Sequence, residues 1–147
     1  VHAAGTTRMM EAAIEGLTRE DGTRPILIAV TQLTSTDQEI MEKDLLINEP
    51  IDKVVMHYAN NAKISGLDGV VCSPLEAKKV HDTCGKDFIT VTPGVRFADG
   101  DVGDQKRVMT PAQAKEIGSD YIVVGRPITK AEDPVAAYNR CLAEFVD

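Results

Sequence analysis

The amino-acid sequence predicts an α/β fold built on a parallel sheet, and three observations carry that prediction. Short apolar runs bounded by turn residues recur along the 147 residues: VHAA at 1–4, ILIAV at 26–30, GVVC at 69–72, FITVT at 88–92 and YIVVG at 121–125. Segments with helical periodicity lie between them. Residues suited to starting and stopping helices then punctuate the chain. Because the apolar runs do not alternate with polar residues, they read as strands covered on both faces.

Taken in order, the first run leads into Met10, Ala13, Ile14 and Leu17, spaced i, i+3, i+4, i+7 as on one helix face. After the second run, Ile51, Val54, Val55, Tyr58, Ala59 and Ala62 repeat that stripe over a longer stretch. Ser73-Pro74, Thr110-Pro111 and Asp133-Pro134 each place a capping side chain before a proline suited to the first helical turn. Glu76 and Gln113 complete capping boxes for the first two, while Gly66 and Gly118 stand where the preceding helices should stop. The pattern is a βα unit repeated five times, which calls for right-handed crossovers and parallel strands.

A closed (β/α)8 barrel takes about 250 residues, so 147 residues with five units are expected to form a partial barrel, a single domain over residues 1–147. The chain opens without Met on a strand-like run, as a piece cut from a longer barrel would. The alternative is a five-stranded doubly wound sheet. Against it, the glycine-rich dinucleotide fingerprint is missing after the first run, where AAGTTR stands instead.

Composition narrows the class of partner. With 16 basic and 23 acidic residues the formal charge is −7, which disfavours nucleic acid and anionic membrane as partners, so any bound anion must be held locally. No apolar run approaches the ~18 residues of a membrane span, and a cytoplasmic location is expected. Cys72, Cys84 and Cys141 have neither disulfide-frame nor zinc spacing and read as small buried side chains. His2, His57 and His81 fall on separate elements, so no metal is expected.

In parallel α/β folds ligands meet the carboxyl ends of the strands. The residues there are Gly5-Thr6, Thr31 to Ser35, Ser73, Pro93 to Arg96 and Gly125-Arg126. Arg96 and Arg126 follow the last two runs, where barrels commonly bind phosphate, and each offers a planar fork of donors to phosphate oxygens. Gly125 lets the backbone approach an anion. The alternative for each arginine is a rim position, solvated or paired with a carboxylate. Between them, DGDVGDQKR reads as a lid or binding loop, or as a solvated connection. It is not an EF-hand: counted from Asp99, position six is Asp104 rather than Gly, and position twelve is Thr110 rather than Glu.

The segments IAVTQLTST, GLDGVVCS, TPGVR, VGDQKRVMTPAQA and YIVVGRPIT, in this order and spacing, closely resemble orotidine 5'-phosphate decarboxylase of the bacterial type. VHAAGTTRMMEAA resembles that family's fourth strand and following helix, so the resemblance covers essentially the whole chain. It implies a (β/α)8 barrel, usually a homodimer with active sites at the interface, converting orotidine monophosphate to UMP and CO2 without metal or cofactor. It implies further that Arg96 and Arg126 bind phosphate, that Gly125 is a backbone phosphate donor, that Gln105 bridges phosphate and pyrimidine, and that Thr34 reads the pyrimidine edge. The family's catalytic array, a D-x-K-x-x-D segment with a second Lys, is not among these 147 residues. The resemblance therefore implies a chain that holds nucleotide and has no catalytic residues of its own, inactive alone. Other readings are a related sugar-phosphate decarboxylase or aldolase, and a non-catalytic, self-associating phosphate binder.

Overall fold

A computed structural model of the chain describes residues 1–100 and 108–147. Its strands are β1 (Ile28–Val30), β2 (Gly69–Val71), β3 (Ile89–Thr92) and β4 (Tyr121–Ile122). Its helices are α1 (Thr6–Leu17), α2 (Gln38–Lys43), α3 (Ile51–Ile64), α4 (Pro74–Cys84), α5 (Pro111–Glu116), α6 (Arg126–Thr129) and α7 (Pro134–Phe145). The strands pair in parallel, in the order β1-β2-β3-β4. The first apolar run is reduced to one bridge, His2 with Val30, followed by a 3-10 turn over Ala3–Gly5. His2 itself diverts the chain, because its Nδ1 accepts a hydrogen bond from the Ala4 N–H at 3.2 Å and starts the turn.

The expectation of strands covered on both faces is corrected. Ala29 and Val70, aligned across β1 and β2, are fully buried in a cluster with Met10, Val55, Ala59, Ala62 and Val80 from the helices. Their neighbours Ile28, Val30, Val71, Ile89 and Val91 are only half-buried. The helices cover one face and leave the other more open. Alternation in burial thus arises without alternation in sequence, since a barrel interior also demands apolar side chains.

Local signals place the helices as expected. Ser73 with Glu76 and Thr110 with Gln113 form complete capping boxes, each with proline in the first turn, and Asp133 accepts from the N–H groups of Val135 and Ala136. Glu76 is nearly fully buried, with Oε2 accepting the Ser73 N–H at 2.8 Å. α3 and α5 end just before Gly66 and Gly118, both at positive φ.

The residues that follow these glycines repeat a second device. Asp68 accepts the Leu27 N–H at 2.7 Å, and Asp120 accepts the Thr90 N–H at 2.7 Å, so each aspartate ties the start of one strand to its predecessor. Arg24 holds Asp68 through two nitrogens, at 2.5 and 3.0 Å, and His81 Nε2 lies 3.0 Å from Asp120. Hydrogen bonding from Arg24 keeps the Asp68 carboxyl below its usual pKa. For Asp120 burial pulls upward, but donation from Thr90 and His81 outweighs it and the net direction is again down. Depressed folded-state values contribute stability that is present above the unfolded carboxylate value of about 3.9 and is lost as pH falls through the folded ones. Thermal unfolding followed from pH 7 to pH 2 is therefore expected to show Tm falling below about pH 4. Asp68→Asn should lower Tm at pH 7 and flatten that acid limb.

Candidate functional site

The parallel register sets the site, because it brings all strand ends to one rim. Thr92 pairs with Ile122, and Val30, Val71 and Val91 share one row across the sheet. Arg96 and Arg126 each lie four residues beyond the paired Thr92 and Ile122, after neighbouring strands. Thr34 lies the same distance beyond Val30, two strands away.

Hydroxyl side chains fasten this rim from below. Thr31 Oγ1 donates to the Val71 carbonyl at 2.9 Å, and Thr92 Oγ1 donates to the Tyr121 carbonyl at 3.1 Å. Both threonines are fully buried. Above them the turn from Leu33 to Thr36, closed by the Thr36 N–H on the Leu33 carbonyl at 2.9 Å, carries Thr34 at 6% exposure.

Arg96 is held from both ends of its backbone. Pro93 fixes the exit from β3, and Gly94 at φ +84° takes a left-handed turn that a side chain would resist. Val95 then bridges to Met109, and the Arg96 N–H donates to the Met109 carbonyl at 3.0 Å. The residue is 8% exposed, with Nη1 donating to the Val95 carbonyl at 2.8 Å. Burial sets aside a solvated position for Arg96. Arg126 differs, being exposed in the first turn of α6, with Gly125 as the residue before the helix. A Cβ built on Gly125 meets nothing within 4 Å, so packing within the chain does not require glycine there. That leaves open space beside the first turn of α6. Gln105 lies outside the described residues.

One constellation near Arg96 is not foreseen from the sequence. The Arg140 guanidinium of α7 sits 4.2 Å from the centroid of the Phe97 ring and bonds both oxygens of Asp99 at 2.9 and 3.1 Å. Its Nε donates to Glu144 at 2.7 Å. The only local signal is the i, i+4 spacing of Arg140 and Glu144, which says nothing of Asp99. Among the described residues no group of three or more His, Cys, Asp or Glu could hold a metal ion, and no helix is long and apolar enough to cross a membrane.

Residues 1–141 match the family described as Orotidine 5'-phosphate decarboxylase / HUMPS family. The chain belongs to that family. It is 55% identical over 148 aligned positions to the orotidine 5'-phosphate decarboxylase of Geobacillus thermodenitrificans, covering 99% of this chain and 62% of the relative. Identity to the Bacillus mycoides protein of the same name is 58%, over 94% of this chain and 59% of that one. The crystal structure of orotidine 5'-phosphate decarboxylase from Lactobacillus acidophilus superposes with a TM-score of 0.82 at 45% identity, covering 100% of this chain and 62% of the other. The chain thus spans about three fifths of the length of these relatives. The family resemblance and the partial (β/α)8 barrel expected from the sequence both hold.

Proposed function

We propose that this chain is the nucleotide-holding part of an orotidine 5'-phosphate decarboxylase, the carboxy-lyase that converts orotidine monophosphate to UMP and CO2 in pyrimidine synthesis. Family membership supports this, and one structural observation carries it: Arg96 and Arg126 each follow, by four residues, the paired Thr92 and Ile122 of the adjacent parallel strands β3 and β4, with open space at Gly125 between β4 and α6. Two guanidinium forks converging on one phosphate suit a dianion, and the protein's −7 charge makes a local grip necessary. In this reading Arg96, Arg126 and Gly125 hold the phosphate, Gln105 bridges phosphate and pyrimidine, and Thr34 meets the pyrimidine edge. No cofactor is invoked, the assembled enzyme is a homodimer, and its location is cytoplasmic. Titration of the chain with UMP by calorimetry tests the grip. Saturable binding is expected, weakened about tenfold or more in Arg126→Ala, since loss of one charge-assisted contact is worth ~1.5–3 kcal/mol. Affinity unchanged in that variant would sink the phosphate assignment.

A second reading, a self-associating phosphate binder, draws on the outer strand β4, whose Tyr121 is 57% exposed beside Val123 at 48%. Unpaired apolar strand edges invite pairing between chains. Sedimentation decides: a concentration-independent monomer argues against it.

A further inference from the structure

We propose that Arg140 is a positioning residue that sets the two phosphate arginines relative to each other. The inference rests on the nucleotide-holding reading but on separate observations. Arg96 lies between two attachments. On one side Met109 pairs with its backbone, and on the other the next residue, Phe97, is covered by the Arg140 guanidinium. Phe97 is 9% exposed, and its carbonyl accepts the Gly100 N–H at 3.0 Å, closing a turn that presents Asp99 to the same guanidinium. On the far side, Phe97 and Arg140 line a hollow with Pro127, Ala131, Ala136 and Ala137. Pro127 directly follows Arg126. One side chain on α7 therefore holds the segment after Arg96 and borders the same hollow as the residue after Arg126.

The chemistry of the contact suits orientation rather than stability. Asp99 is 72% exposed and Arg140 43% exposed, and exposed ion pairs contribute little to folding free energy. A guanidinium stacked on a ring, bonded through Nη1 to both oxygens of one carboxylate and through Nε to another, has little rotational freedom left. Small errors in the placement of binding groups are costly to ligand recognition even where the fold is unchanged.

The test compares the chain with Arg140→Gln, Arg96→Ala and the double variant. Calorimetry with UMP, thermal unfolding and amide hydrogen exchange of the ligand-free chain are read for each. Arg140→Gln is expected to speed exchange at Phe97 to Gly100 and to weaken UMP about tenfold, with Tm nearly unchanged. In the double variant, affinity should fall no further than in Arg96→Ala alone, because Arg140 acts through Arg96. A merely structural residue would lower Tm and give additive losses, and that result overturns the proposal. Should Arg140→Gln fail to fold, Asp99→Asn removes one half of the carboxylate contact and is expected to give the same exchange and affinity changes in smaller measure. If the unsubstituted chain does not bind UMP, the nucleotide reading falls. The positioning proposal falls with it; if instead UMP binds and Arg140→Gln leaves both affinity and exchange at Phe97 to Gly100 unchanged, the positioning proposal alone is overturned.

Discussion

Arg96→Ala is expected to weaken UMP binding about a hundredfold, the largest effect of any single substitution on the rim. The side chain is buried at the end of β3, with its backbone tied to Met109 and Nη1 to the Val95 carbonyl, so the donor fork is held before ligand arrives. A preorganised charge loses little side-chain entropy on binding, and its removal forfeits nearly the whole contact. Arg96→Lys keeps the charge but not the fork, and should recover only part of the loss. Calorimetry at two salt concentrations checks this. An Arg96→Ala variant binding within threefold of the parent would place the phosphate elsewhere.

Glycine to alanine is expected to have opposite signs at two positions. Gly69 pairs with Ile89 across β2 and β3, and a Cβ there would fall on the Ile89 carbonyl oxygen, 2.8 Å from its carbonyl carbon. The obstruction is backbone, so the central strands would have to part, and Gly69→Ala should cost about 3 kcal/mol and about 10 °C in Tm. Gly16 lies within α1 and its Cβ would meet nothing within 4 Å, so Gly16→Ala should stabilise by up to ~1 kcal/mol. Thermal unfolding of the two variants beside the parent checks both. Equal shifts of one sign would mean that the β2–β3 spacing is not what holds Gly69.

What the sequence made legible was local. Ser73, Thr110 and Asp133 announce their helices because a cap and its N–H partners lie within three residues, and the strand order follows from the βα alternation. Shorter elements left no period to read. α2 has six residues and α6 four, less than two turns each, although Asp37 caps the first as clearly as the longer helices are capped. Arg96 and Arg126 were singled out because ligand sites gather at strand ends. The contact of Arg140 with Asp99 joins residues 41 apart, where neither spacing nor composition carries a signal. Gln105 belongs to the stretch whose structure is outside the described residues.

The order β1-β2-β3-β4 is also the order of synthesis. Each of β2, β3 and β4 pairs with the strand made just before it, and the intervening helical segment supplies the reach. A chain emerging from the ribosome can thus lay down its sheet like courses of brick, each strand after β1 finding its partner already translated. Each βα unit closes a loop of modest length, which keeps the entropy of every step low and spreads the search over time.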